Sequence, residues 1–270
     1  MTTPLVSLND VDFRRIQTFI HRHAGINLSP AKKALVSGRL LKRLRHRGLN
    51  GFGDYFRLVE SGSEPAETQL AIDLLTTNET YFFREPTHFE FLRDRILPQL
   101  PHQHPCRVWS AACSSGEEPY SIAMLLSDRL GARPWDLLAS DISARVLATA
   151  RKGHYPMSRG EQIPRDYFER YCLKGVGRQQ GNFLVDRKMR ALVQFFSANL
   201  NQPLPQLGGF DVIFLRNVMI YFDAATKLQV VHRLTPYLNQ GGYLFIGHSE
   251  SLHGLDVELK QVQPAIYRRM

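Results

Sequence analysis

Between Phe13 and Gly53 the chain has no acidic residue. The same stretch carries ten basic ones: Arg14, Arg15, Arg22, Lys32, Lys33, Arg39, Lys42, Arg43, Arg45 and Arg47. A face that is merely solvated usually interleaves both signs. The bias therefore points to an acidic partner: nucleic acid, anionic lipid or a carboxylate-rich protein. Cysteine is scarce, with only Cys106, Cys113 and Cys172. An odd number with no C-x-x-C excludes a disulfide framework and a zinc knuckle, and no metal is expected. A reducing cytoplasm is the expected compartment. Apolar runs stop at the length of Ile122–Leu126, far short of the roughly 20 residues that cross a bilayer. Met1–Leu5 lacks the basic start and apolar stretch of a secretory signal. Also missing are the G-x-G-x-x-G fingerprint, the P-loop and the G-x-S-x-G elbow, which removes the commonest dinucleotide, phosphate and serine-hydrolase readings.

What is present is enough apolar material, 43% of 270 residues, for one large domain or two small ones. Residues 1–75 read as a small all-α domain. Asn9 or Asp10 can cap a helix whose apolar side is Val11, Phe13, Ile16, Phe19 and Ile20, ending near Gly25. Ser29-Pro30 opens a second helix over 30–47, with Ser as cap and Pro at the first position, and Gly48 closes it. Leu40, Leu41 and Leu44 share one face of it. Lys32, Arg39, Lys42, Arg43 and Arg47 fall on the other side, as an outward cationic stripe. Shorter helices follow over Asp54–Glu60 and Pro65–Thr76.

Residues 76–270 change texture. Strands are expected at Arg107–Cys113, Trp135–Ser140, Leu192–Phe196, Phe210–Leu215 and Tyr243–Gly247. Helices are expected at Pro119–Leu130, Ala144–Arg151 and Ala224–Leu238. That alternation means an α/β fold, a parallel sheet with helices on both faces and its ligand at the C-terminal strand ends. The interval at about 155–192 breaks the pattern. It reads as a small antiparallel insertion, with a hairpin at Arg187-Lys188.

The first strand runs into Ser114-Ser115-Gly116-Glu117-Glu118-Pro119 at a helix start. Two carboxylates stand where a phosphate would sit, and they would repel it. The ligand end facing Glu117 is therefore cationic or zwitterionic. The second strand ends at Asp141, where an acidic residue hydrogen-bonds a ribose diol. Asp141 could equally be part of the next helix start, and Glu117 could serve only the helix dipole. Taken together, a ribose and a cationic, phosphate-free far end describe S-adenosylmethionine.

Six blocks in order carry a resemblance. They are Thr77-Asn-Glu-Thr-Tyr-Phe-Phe-Arg84, Gly116-Glu-Glu-Pro-Tyr-Ser121, Ala139-Ser-Asp-Ile142, Ser197-Ala-Asn-Leu200, Phe214-Leu-Arg-Asn-Val-Met-Ile-Tyr-Phe222 and Gly247-His-Ser-Glu-Ser251. Over nearly the whole chain the sequence resembles the CheR-type chemotaxis receptor methyltransferases. The resemblance implies a class I methyltransferase sheet. It implies transfer of a methyl group from S-adenosylmethionine to glutamates of chemotaxis receptors, giving γ-glutamyl methyl esters and S-adenosylhomocysteine. Asn78, Thr80, Arg84, Glu117, Asp141, Asn199, Leu200, Arg216 and Asn217 match cofactor-holding positions. Tyr221 matches the tyrosine facing the transferred methyl. The basic helix over 30–47 would meet the receptor's cytoplasmic helices. In some members the insertion docks a receptor C-terminal pentapeptide, and the Gly175–Gly181 loop leans that way. A monomer that binds no nucleic acid and does not insert directly into the membrane is expected.

The chemistry needs little. A glutamate carboxylate is ionised at pH 7, its pKa being about 4.3, so no general base is required. Positioning does the work. Arg84 and Arg216 would supply positive charge to the anionic acceptor, and Tyr221 a hydroxyl. His102 and His104, in a proline-rich loop, read as solvated linker. His248 reads as a supporting residue. Two rivals remain: a nucleic-acid methyltransferase, disfavoured because Arg216–Tyr221 lacks the proline motif of base-amine enzymes, and a cofactor-binding adaptor without activity.

Overall fold

A computed structural model describes residues 7–101 and 104–270. The expectations placed on Met1–Leu5 and on His102 lie outside the described residues. The chain divides into two compact units. One comprises the residues up to Thr77 together with Tyr221–Lys227; the other is Asn78–Ile220 with Leu228–Met270.

The first unit is helical. Helix α1 (Asp10–Ala24) starts where the Asn9 side chain accepts from the Asp12 amide and ends at Gly25 in a left-handed conformation. Phe13, Ile16, Phe19 and Ile20 are buried, but Val11 is 67% exposed. Val11 sits two residues before Phe13, about 200° around the helix, so it cannot share that face. A 3₁₀ turn, Pro30–Lys32, leads into α2 (Lys33–His46), and the Ser29 side chain makes no capping bond. Val36, Leu40 and Leu44 are buried on α2, while Leu41 is only half-buried. Helices α3 (Phe52–Glu60) and α4 (Pro65–Leu75) complete the unit. Its core holds edge-on aromatics, with Phe19 and Phe56 centroids 5.4 Å apart.

The second unit starts with α5 (Pro86–Phe91), which runs on through a π-helical turn, Leu92–Ile96. Then come β1 (Cys106–Ser110), α6 (Glu117–Leu130), β2 (Trp135–Asp141) and α7 (Ala144–Lys152). The insertion contains β3 (His154–Pro156), α8 (Arg165–Tyr171), β4 (Cys172–Lys174), β5 (Asn182–Val185) and α9 (Arg187–Ala191). After it come β6 (Val193–Ser197), β7 (Phe210–Leu215), α10 (Ala224–Leu234), β8 (Leu238–Ile246), β9 (Leu259–Gln263) and β10 (Ile266–Arg269). The main sheet has the order β6-β2-β1-β7-β8-β10-β9. Its first five strands are parallel, and β10 pairs antiparallel with both β8 and β9. The chain order reverses between β1 and β7, which sets the crevice at the C-terminal end of β1.

The insertion's antiparallel sheet is β3-β5-β4. The hairpin expected at Arg187-Lys188 does not form. Those residues open α9, where the Asp186 side chain accepts from the Lys188 amide. A local N-cap outcompetes a turn that has neither Gly nor Asn to supply a positive φ. Among the described residues, no helix is long and apolar enough to cross a membrane. Cys106, Cys113 and Cys172 are free and buried. Burial pushes the Cys106 and Cys172 thiols up to about 12.

Candidate functional site

The turn between β1 and α6 is shaped by two left-handed residues, Ser114 (φ 48°) and Gly116 (φ 99°). A side chain at Gly116 would meet Ala150 Cβ and Tyr155 Oη at 2.9 Å each, so only glycine fits. Two strings of contacts leave this turn. In one, the Ser114 hydroxyl donates to the Asn78 carbonyl at 3.0 Å, and the Ser114 amide donates to Asp141 Oδ2 at 2.9 Å. The Ser143 amide donates to Asp141 Oδ1 at 2.9 Å. The Ala198 amide reaches the Asp141 carbonyl at 3.2 Å, and Asn199 Oδ1 accepts from the Asn201 amide at 2.9 Å. Asn78, Asp141 and Asn199, distant in sequence, are thereby joined through the ends of β1, β2 and β6.

The second string runs through Glu117, which has no exposed surface. Its Oε2 accepts from the Ser115 hydroxyl at 2.7 Å. Its Oε1 accepts no hydrogen bond, and Arg159 Nη1 stands 3.6 Å away. Burial raises the Glu117 carboxyl above its usual range, outweighing the Ser115 hydrogen bond and Arg159. Arg159 also donates to the Thr80 carbonyl, and Tyr155 Oη donates to the Ser115 carbonyl at 2.7 Å. An orphaned carboxylate oxygen at a helix start is a receptor for a cation. That chemistry suits the cationic amino-acid end of S-adenosylmethionine, and Leu200 is buried in the loop after β6.

Arg216 departs from expectation. Its side chain is buried and turned inward. Nη1 donates to Glu118 Oε2 at 2.9 Å, Nη2 to Glu85 Oε2 at 3.0 Å and also to the Arg84 carbonyl. Two carboxylates match its charge, so Arg216 braces the site rather than offering a cation to an acceptor. Burial alone would raise Glu85; the Arg216 charge and hydrogen bonds from Asn217 and Arg216 outweigh it and hold the carboxyl at about 2. Asn217 stands at φ 57° and donates from Nδ2 to Glu85 Oε1 at 3.1 Å. Glu250 accepts from the amides of Asn217 (2.9 Å), Gly247 (2.6 Å) and Ile220 (3.1 Å). Arg84 stays with its own loop: Nη1 donates to the Glu79 carbonyl at 3.0 Å, and the guanidinium lies 5.6 Å from the Tyr81 ring centre. His248 Nε2 is 3.2 Å from Thr87 Oγ1, and its ring is edge-on to His88 at 4.7 Å. Burial first, then Arg216, pushes buried His88 down to about 3. Glu85, His88 and His248 bring ligand-type atoms within 4.8 Å of one another. Arg216, however, already sits on the same carboxylate.

Sequence reasoning missed Glu85, Arg159 and Glu250. Glu85 carried a signal, since it follows Arg84 directly and stands three residues before His88. Arg159 comes from the insertion, where spacing says nothing of its target.

The cationic stripe is also divided. Lys32 and Lys42 are exposed. Arg43 Nε donates at 2.7 Å to Glu67, which is 3% exposed, and Arg47 Nη2 donates to Glu64 at 2.6 Å. Arg39 Nη1 donates to the Thr76 carbonyl at 2.9 Å. These three arginines, one turn apart, face α4 and tie α2 to it, so they are not an outward stripe.

A mostly parallel sheet in this order, with an orphaned acid after the first strand and a second acid after the next, defines an S-adenosylmethionine-dependent methyltransferase. The chain belongs to the CheR methyltransferase family. The family's SAM-binding domain matches residues 78–267 and its all-alpha domain residues 11–76. Among curated relatives, a chemotaxis protein methyltransferase of Salmonella typhimurium is 41% identical over 98% of this chain and 92% of its own. One from Escherichia coli is 43% identical over 94% of this chain and 89% of its own. One from Klebsiella aerogenes is 44% identical, covering 90% and 84%.

Proposed function

We propose that the chain methylates glutamate side chains on the cytoplasmic helices of chemotaxis receptors, forming γ-glutamyl methyl esters. The observation that carries the cofactor half is the orphaned, buried Glu117 Oε1, joined through the β1–α6 turn to Asp141. When bound, S-adenosylmethionine supplies an electrophilic methyl on a sulfonium. Glu117 holds the ammonium end and Asp141 the ribose. Asn78, Thr80, Asn199, Leu200 and Asn217 line the rest, and Arg216 braces the wall through Glu118 and Glu85. Arg84 supplies the cation that seats the acceptor carboxylate, and Tyr221 the hydroxyl that orients one of its oxygens. The acceptor is already ionised, so no proton need be removed. The exposed Lys32 and Lys42 suit a receptor surface rich in glutamate.

The relatives named above, all chemotaxis protein methyltransferases, support the receptor as substrate. The insertion supports a peptide tether. A cavity of about 500 Å³ there is lined by Leu173, Val176 and Phe183 among others, and Leu173 and Val176 are 55% and 81% exposed. The test is transfer of radiolabelled methyl to receptor-bearing membranes, against DNA and RNA. Base-labile label on the receptor, with none on nucleic acid, is expected. Label on nucleic acid would overturn the reading, and cofactor binding without transfer would favour an adaptor.

A further inference from the structure

The insertion sends one cation to the β1–α6 turn. Its strand β3 carries Tyr155, whose hydroxyl donates to the Ser115 carbonyl of that turn. A 3₁₀ turn follows at Met157–Gly160 and holds Arg159. This turn is fixed at both ends. The Met157 amide donates to the Gly181 carbonyl at 2.8 Å. Gly160 packs so closely that a side chain there would meet the Phe183 ring at 3.0 Å and the Phe168 ring at 3.2 Å. Arg159 Nη1 donates to the Thr80 carbonyl and stands 3.6 Å from the orphaned Glu117 Oε1. Among the described residues, Arg159 Nε and Nη2 donate to no acceptor. Glu117 is fully buried, while the Arg159 side chain is 42% exposed.

The two groups are close enough to attract and too far apart to share a hydrogen bond, so each keeps unused capacity. The Arg216–Glu85 and Arg43–Glu67 pairs differ in this, since they are hydrogen-bonded and spend their charge on one another. An anion and a cation held side by side match an α-amino acid, whose ammonium and carboxylate stand on one carbon. We infer that Arg159 binds the carboxylate of S-adenosylmethionine while Glu117 takes its ammonium, so that the insertion supplies half of the receptor for the cofactor's amino-acid end. The inference rests on the reading of S-adenosylmethionine as the cofactor. A guanidinium suits a carboxylate through its planar fork of donors, and Arg159 has such donors to spare. The Thr80 carbonyl, by holding Nη1, orients the fork.

The experiment compares two ligands on the full chain by calorimetry: S-adenosylmethionine and its decarboxylated form, which keeps the ammonium, the sulfonium and the ribose. Wild type should bind the decarboxylated form about tenfold more weakly, the value of a hydrogen bond to a charged group. Arg159→Ala should lose about tenfold on S-adenosylmethionine and stay within about twofold of wild type on the decarboxylated form, so that the discrimination disappears. Arg159→Lys, which keeps the charge without the fork, should recover part of it. Glu117→Gln should weaken both ligands. Amide exchange of residues 154–160 should slow when wild type binds S-adenosylmethionine, and not in Arg159→Ala. Equal affinity of wild type for the two ligands would overturn the inference. So would an Arg159→Ala loss of the same size on both, which would make Arg159 a brace of the wall. A wild type that binds no S-adenosylmethionine would overturn the cofactor reading and the inference with it. A wild type that binds it but never methylates receptor would overturn only the functional reading, and the two-ligand comparison would still decide the role of Arg159.

Discussion

A buried carboxylate with one empty oxygen is costly without its ligand. At Glu117 burial raises the carboxyl, so the ionised form weakens the fold as pH rises from the unfolded value through the raised one. Glu117→Gln should therefore leave the ligand-free protein as stable or more stable at pH 7 by chemical denaturation. It should weaken S-adenosylmethionine binding at least tenfold by calorimetry, about 1.4 kcal/mol or more. A destabilised variant with normal affinity would remove Glu117 from the site. His88 works with the opposite sign. Its folded pKa is pushed down to about 3, so below about 6.5 only the unfolded chain takes up the proton, and stability falls as pH drops from there through about 3. The slope approaches about 1.4 kcal/mol per pH unit for one proton. His88→Leu should flatten the wild-type slope between pH 6 and 4.5 in urea titrations. Tyr221→Phe should slow single-turnover transfer and leave cofactor affinity nearly intact. A normal rate would make Tyr221 a packing residue.

Helix α2 separates two jobs along its length. Arg43 is paired with Glu67, whose carboxyl it holds low through their hydrogen bond. Removing the arginine leaves the buried acid only the Tyr55 hydroxyl at 2.9 Å and Arg47 at 4.0 Å, so the cost should fall below the roughly 3–5 kcal/mol of a buried charge left with no partner. Arg43→Ala should thus lower the thermal midpoint, a loss that scanning calorimetry would show. Charge reversal at Lys32 and Lys42 should instead raise receptor KM at low salt with the midpoint unchanged, and converge with wild type as salt screens the field. Equal receptor kinetics would reduce those lysines to a solvated face. The boundaries of α1 and the C-terminal ends of α3 and α6 were legible because caps, glycines and the 3.6-residue stride are local signals, whereas α3 and α6 start two residues earlier than expected, at Phe52 and Glu117. The split of the arginines was not, because Glu67 lies 24 residues beyond Arg43, outside any periodicity window. The β9–β10 pair and the β3-β5-β4 pairing escaped for the same reason: strands of three to five residues take their partners from tertiary context. At the site, Glu117 and Asp141 stood out through their place after strands, whereas Arg159 gains meaning only once the insertion is folded against the β1–α6 turn.

Every cofactor-side residue proposed here, from Asn78 to Asn217, belongs to the sheet-bearing unit. Cofactor at 100 times its Kd should add about 2.7 kcal/mol to that unit's stability. At roughly 2–4 °C per kcal/mol for a domain of this size, the midpoint should rise by about 5–10 °C, and amides of residues 78–220 should exchange more slowly. An unmoved midpoint at saturation would show that the ligand does not select the folded unit. The sheet order carries a further consequence, in time rather than energy. Strand β1 lies between β2 and β7, and Arg107 finds Asp211 across 104 residues. On a ribosome adding about 5–20 residues per second, β1 and its apolar edge wait roughly 5–20 s for their neighbour to be made. The nascent chain must pass that interval with the middle of its future sheet unpaired, so its yield should depend on translation speed and on chaperones that cover strand edges.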